Sequence, residues 1–558
     1  MSKRFLLSIA MLAVGAAMLA AASIASPGAS QKRTAPQSHV AKNGGTFRAT
    51  LQTDIENVDP ARSYYVPEWQ YEWMTGRMLL SYTHAQGSKG YRLFNDGISK
   101  YTVSKDGKTY TFFIRKGMKF SDGKPVTAAN FRWAYLRILN PNVQSPIASF
   151  FTDPASVNIV GAIDYNAGKS QSVAGLQTKG KYKFIMKLVH SSPLVLSLIA
   201  LPPTMAQPTG FPMEPITRVP FGNFNQLPSA GRYYVSSRTP NRSVVLKKNK
   251  YYKGPVPGHI AQWNYTAQIE ADQAFLLINS GQSDWAADGL APAVYAGLGQ
   301  KYGTSKGRFR VIPGSCVSYV SLNTARPTFG NVNARKSINY AIDRNQLVRL
   351  GGAYSGVPTD QALTPPIPGY KNVKIYPNAR NVTKAKSLAK GHTGHINLWH
   401  STSAISIQVS QLITSWLNQV GFTNVDDKAI ASGYYTQLGK RGTEYDLARA
   451  GWCQDFPDPY DYLNKLLSGE TIQDAQNNNL SYFNNAKVNK QLNAAARLSP
   501  PKRYKVYGDL DISIMKNYAP WAPYVISNDR DFFSAKVDTK SIKTNPVYEL
   551  DLAQFALK

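Results

Sequence analysis

The stretch 446–464, DLARAGWCQDFPDPYDYLN, constrains this chain more than any other. Its first residues alternate with the period of a strand, Leu447 and Arg449 to one side, Asp446 and Ala448 to the other. Pro457 and Pro459 then remove backbone donors and fix φ, which ends a strand. The strand therefore stops at a carboxylate, Asp455, set among Trp452, Phe456, Cys453 and Arg449. A carboxylate so placed suits a small cation such as a primary ammonium. The plainer alternative is an aspartate capping a helix from a turn.

Residues 1–25 have the form of a secretory signal. Lys3 and Arg4 precede an apolar run over 5–21, and Ala20-Ala21-Ala22 or Ser23-Ile24-Ala25 offers a small-residue cleavage site. An uncleaved anchor is the alternative. No cysteine lies within or directly after the signal, so lipid attachment at a signal cysteine is not expected, and the mature chain is placed in the periplasm or outside the cell. Residues 26–43 are polar and read as a disordered leader. The 558 residues suggest two to four domains, at roughly 150 residues each. The two cysteines, Cys316 and Cys453, form an even count in an exported chain, which predicts a disulfide; two buried free thiols are the alternative. A bridge closing so long a loop is worth up to about 4–5 kcal/mol by loss of chain entropy in the unfolded state.

Lys and Arg number 64 against 33 Asp and Glu, a formal net charge of +31. The positive residues are scattered rather than gathered in an arm, and the chain is exported, so no nucleic-acid partner is expected. The densest basic run, 238–253, alternates like a hairpin with a solvated face. Two readings of the charge remain. A basic surface would hold the protein near anionic membrane or wall polymers. A shortage of carboxylates would also blunt acid unfolding.

In chain order, residues 44–51 alternate as a first strand, Asn57 to Ala61 form a turn, and 69–80 has helical spacing. Alternating runs on either side of Asp106-Gly107 predict a hairpin. Thr127 is placed to cap a helix running to about Leu139.

The motifs FSDGKPVTA at 120–128, SPIASF at 145–150, GRYY at 231–234, NKYY at 249–252, SGQSD at 280–284, ARKSINYAIDR at 334–344, the YFNNAKV segment at 482–488 and Ala519-Pro520 occur in one order. Together they resemble extracellular solute-binding proteins of the peptide and nickel class, family 5, which deliver cargo to ABC importers. The resemblance covers about 44–558. ARAGWCQDF at 448–456 is close to the oligopeptide-binding branch, with Phe456 in place of Tyr.

That resemblance implies an α/β fold of three lobes, a periplasmic binding protein whose two main lobes are joined by a two-crossing hinge, with one further lobe inserted. Lobe I would comprise 44–80, 205–312 and 524–558, the inserted lobe II 81–204, and lobe III 313–523, with crossings near Pro313 and over 520–523. It implies that Cys453 is bridged to Cys316, just before a strand expected over Val317 to Asn323, and that Asp455 binds a peptide's α-ammonium. Trp452 would wall the pocket and Arg449 would neutralise and orient neighbouring carboxylates, although both have a merely structural reading. Tyr64, Tyr65 and Val66, just after Asp59-Pro60, stand where the family has cleft contacts. Tyr434 and Tyr435 stand near a family cleft tryptophan, and Lys440 and Arg441 near a basic residue that meets a peptide carboxylate. The implied partners are an oligopeptide and the permease subunits of the importer, and the expected state is a monomer.

No G-x-S-x-G elbow and no phosphate loop occur, and His392 and His395 lack a third ligand of suitable spacing. No enzyme, cofactor or metal is expected. Other readings are the same fold with an oligosaccharide or metal-chelate cargo, or a basic interaction protein for wall or membrane polymers.

Overall fold

Strands form where the chain alternates, and three larger sheets gather most of them, beside two two-stranded ones. The structure is a computed structural model that describes residues 41–558 apart from Thr423 and Ser432. The signal expected over 1–25 and most of the leader expected over 26–43 lie outside the described residues.

Thr46–Thr50 runs parallel to Gln262–Thr266 on one side and Trp285–Ala286 on the other. Ser243–Lys248 and Tyr233–Thr239, the hairpin expected in the basic run, complete this five-stranded sheet. Its inward residues Phe47, Leu246 and Trp263 are fully buried. A four-stranded sheet holds the hairpin Ile98–Val103 and Thr109–Ile114, turned at Gly107 with φ of 70°. The helix Ala128–Leu139 begins at Thr127, whose N–H donates to Asn130 Oδ1 at 2.8 Å. It lays Phe131, Tyr135 and Ile138 into the core.

The third sheet orders six strands as Gly356–Pro358, Trp521–Phe532, Phe309–Leu322, Leu447–Trp452, Ile396–Ser401 and Val425–Ile430. Its two longest strands, Phe309–Leu322 and Trp521–Phe532, pair antiparallel from Phe309 opposite Phe532 to Ser321 opposite Trp521. One end packs with Ala286 and Tyr295, and the other, through Val320 and Ala522, with Ile338 and Leu398. The register slips between Ile312 and Cys316, opposite Asp529 and Ser527. Pro313 has no N–H to give there. Gly314 passes so close that a Cβ would stand 2.0 Å from the Ser527 carbonyl oxygen, so only glycine fits.

Two boundaries differ from the sequence reading. The helix expected over 69–80 is Val66–Thr75, because Pro67 and Glu68 start it early; Leu80–Tyr82 is a strand. The strand expected from Val317 begins at Phe309, so Cys316 lies inside it. Residues 41–558 form one compact unit. Among the described residues no helix is long and apolar enough to cross a membrane.

Candidate functional site

The strand Leu447–Trp452 ends as its prolines require, and the chain turns through Asp455 into the helix Tyr460–Leu467. Asp458 fixes the turn. Its Oδ1 accepts from Tyr460 N–H at 2.9 Å, and its carboxylate is clasped by Arg503 at 2.7 and 3.1 Å. Val317 pairs with Trp452, and Cys316 and Cys453, the next residues along, form a disulfide with sulfurs 2.02 Å apart.

Asp455 is 8 % exposed, on the wall of a cavity of about 300 Å³. Tyr64 donates its hydroxyl to Asp455 Oδ2 at 2.5 Å. The Asp455 N–H donates to Asp461 Oδ2 at 2.7 Å. Lys465, fully enclosed one helical turn beyond Asp461, donates to the Pro146 carbonyl at 2.8 Å and to Ser149 Oγ at 2.5 Å. Its ammonium lies 4.6 Å from the Phe150 ring centre. Burial pushes Asp455 up to about 7, while the Tyr64 hydrogen bond and the Lys465 charge pull it down. Burial, and then repulsion from Asp455, push Asp461 well above the usual carboxylate range. Burial pulls Lys465 down to about 8 against the attraction of both carboxylates. Burial thus keeps a proton on this pair of carboxyls beside one ammonium, and a second cation reaching Asp455 would favour its release.

Tyr64 and Tyr65 are held by Glu68. Its carboxylate accepts from the N–H groups of Asn57 and Tyr64, both at 2.8 Å, and of Tyr65 at 3.1 Å. Tyr64, Tyr65, Val66, Trp452 and Tyr435 all line the Asp455 cavity. The Trp452 ring lies 5.6 Å from that of Tyr64, and its Nε1 donates to Asp461 Oδ2 at 3.4 Å. Tyr435 accepts a hydrogen bond from Gly451 N–H, on the strand edge that no other strand covers beyond Ala448.

Other expected residues lie elsewhere. Arg449 touches neither Asp455 nor Asp461. It donates to Tyr524 Oη at 3.0 Å and Ser406 Oγ at 2.8 Å, tying its strand to the helix Ala404–Val420, because alternation turns it away from the cavity. Tyr434 is buried, its hydroxyl between the carbonyls of Trp399 and Arg449 at 3.0 and 2.7 Å. Lys440 and Arg441 are exposed and do not line the cavity; Arg441 pairs with Asp474 at the surface. The cation that does line the cavity among the described residues is Arg62, whose Nη1 donates to the Val143 carbonyl at 3.0 Å.

Sequence reading therefore missed Asp461, Lys465, Glu68 and Arg62. Asp461 and Lys465 carried a usable signal, an i, i+4 pair of opposite charge in a short helix after a proline turn. Cys316, Cys453 and Glu549 are the one grouping with metal-ligand spacing among the described residues, and both sulfurs are committed to the disulfide.

The family profile described as bacterial extracellular solute-binding proteins, family 5, middle region, matches residues 95–474. The periplasmic oligopeptide-binding protein OppA of Salmonella typhimurium is 26% identical over 446 residues, covering 77% of this chain and 78% of that one. The oligopeptide-binding protein OppA of Bacillus subtilis is 28% identical over 389 residues, covering 65% of this chain and 68% of that one. A solved structure of the periplasmic binding protein DppA from Helicobacter pylori, in complex with the peptide STSA, superposes with a TM-score of 0.80 at 18% identity, covering 92% of this chain and 98% of that one.

Proposed function

We propose that this chain, which belongs to the bacterial extracellular solute-binding proteins of family 5, is a receptor that captures oligopeptides for an ABC importer. The observation that carries this reading is the buried Asp455 carboxylate on the cavity wall, beside a second carboxylate and a single ammonium. A receptor for many peptides must bind what all share, the backbone and the charged α-amino group. That group has a reference pKa of about 7.7–8.0 and is largely protonated at neutral pH. It would replace part of the water that Asp455 loses on burial. At Gly451, where pairing with the strand Ile396–Ser401 has ended, an extended peptide would gain backbone pairing by displacing Tyr435 from the Gly451 N–H. Arg62 is the cation best placed for a peptide carboxylate.

The lobes follow the same reading, with 44–80, 205–312 and 524–558 as one, 81–204 as the inserted one and 313–523 as the third. The paired strands through Pro313 and Pro523 would form the hinge, with its bend at the slip opposite Asp529. The working state would be a monomer docking onto permease subunits, secreted across the cytoplasmic membrane and held near anionic surfaces by its charge. No catalytic step is assigned to it. The test is a thermal-shift titration of the mature chain, refolded to remove carried cargo, with a mixed pool of tri- to pentapeptides. A saturable upward shift is expected. A shift with oligosaccharides or metal chelates and none with peptides would overturn the reading.

A further inference from the structure

Beside the Asp455 cavity lies a second of about 500 Å³. The two adjoin at Tyr65, Gln70, the disulfide and Glu549, which line both. The wall of the second is acidic in a chain where Lys and Arg outnumber Asp and Glu by 64 to 33. Asp529 and Asp531 lie two apart on the strand Trp521–Phe532 and so share a face. Glu549 completes the group; its Oε2 accepts from Gln70 Nε2 at 3.2 Å. Burial raises all three carboxyls; repulsion from its neighbours raises Asp529 further, as that from Asp531 raises Glu549, while the Trp285 hydrogen bond lowers Asp531. Arg530 is the one basic residue lining this cavity among those described. Its guanidinium is engaged, donating to the carbonyls of Gly351 at 2.5 Å and Ala353 at 3.1 Å and lying 3.9 Å from the Tyr295 ring centre.

The unsatisfied atoms identify what is missing. Asp531 is 9 % exposed; its Oδ1 accepts from Trp285 Nε1 at 2.8 Å, and its buried Oδ2 has no partner. Asp529 Oδ2 is buried and equally unpartnered. Gln70, 3 % exposed, leaves Oε1 without a donor. Every one of these atoms is an acceptor. Buried acceptors need donors, and clustered carboxylates need positive charge. A guanidinium or an ammonium supplies both, as several donors on one charged group. A metal ion fits less well, because the carboxylates do not converge to ligand spacing.

We propose that this second cavity is a subsite for a basic side chain, Lys or Arg, of the peptide whose amino terminus sits at Asp455. The inference rests on the peptide reading above, and its test separates the two. The refolded wild-type chain is titrated calorimetrically with tri- to pentapeptide pools. At each scanned position the pools carry Lys, Nε-acetyl-lysine, norleucine or Glu. At one position Lys should bind at least about tenfold tighter than norleucine or acetyl-lysine. That step should release protons, read as a heat that changes with the buffer's own ionisation heat. Asp529→Asn with Asp531→Asn should abolish the Lys advantage; should that variant not fold, the acetyl-lysine comparison decides alone. Binding of all pools with no Lys advantage anywhere overturns the subsite and leaves peptide capture standing. Stabilisation by calcium chloride without a Lys advantage overturns it in favour of a metal site. No binding by any pool overturns both.

Discussion

The hydroxyl of Tyr64 donates to the Asp455 carboxylate at 2.5 Å across 391 residues of sequence. It holds part of the charge that an incoming ammonium would meet, and it helps Asp455 to ionise despite burial. Lys465 acts in the same direction through its charge.

Tyr64→Phe and Lys465→Met should therefore each move Asp455 above its present value of about 7. An ammonium binds the ionised form, so free-amine peptides should lose affinity in both variants. The loss should be roughly tenfold at pH 6 and smaller at pH 8, since one pKa unit is a factor of ten. Calorimetric titrations at the two pH values check this. A loss independent of pH would show that the two groups act only through packing.

The cargo-free protein should be more stable at pH 6.5 than at pH 8. Burial raises Glu68 and Asp511 to about 7 and Glu549 to about 8. Each keeps its proton in the folded chain where the unfolded chain, with values of about 4, has released it. The stability they contribute is complete below the unfolded values and is lost as pH rises through 7 to 8. His84, lowered by burial, opposes this only below its ordinary value of about 6.5. The melting midpoint should fall by a few degrees from pH 6.5 to 8. A rising midpoint would contradict the assignment of these groups.

Removing the disulfide by Cys316→Ser with Cys453→Ser should lower stability by about 4–5 kcal/mol if chain entropy dominates. The bridge closes a separation of 137 residues and holds the strand end that leads to Asp455. Denaturant unfolding of both forms measures the stability. Peptide affinity should weaken as well, since the Asp455 turn loses one anchor. An unchanged unfolding midpoint would mean that the paired strands alone fix this geometry.

Arg449→Lys separates the two readings of that arginine. Its bonds run to Tyr524 and Ser406, away from the carboxylates. Stability should drop by about 1–3 kcal/mol as buried hydroxyls lose their donors. The preference for free over N-acetylated peptides should remain. Loss of that preference without loss of stability would return Arg449 to the site.

Local physics made much of this legible in the sequence. Alternation and proline placed the end of the strand Leu447–Trp452 and so Asp455, and Asp106-Gly107 placed a hairpin. The two cysteines pointed to their own bridge, whereas Tyr64, Tyr65, Val66, Trp452 and Tyr435, which line the cavity, were singled out by the family resemblance and not by local physics. What was not legible depends on orientation and long-range packing. Alternation set Arg449 on the face of Leu447, but that this face packs on the helix Ala404–Val420 and not on the cavity is a property of the folded sheet. Tyr434 and Tyr435 are neighbours, yet one plugs a gap between strands and the other faces the cavity. Lys465 meets Pro146 and Ser149 more than 300 positions away, and no local pattern carries that contact.

The measurement that bears most directly on the account is a calorimetric titration of the refolded chain at pH 7 with one tripeptide, free and N-acetylated, in the wild type and in Asp455→Asn. The free peptide should bind the wild type two or more orders of magnitude tighter than the acetylated one, as expected when about 3–5 kcal/mol is lost on breaking a buried pair. In Asp455→Asn that gap should close. Equal binding of the two peptides by the wild type would contradict the claim that Asp455 anchors the α-ammonium.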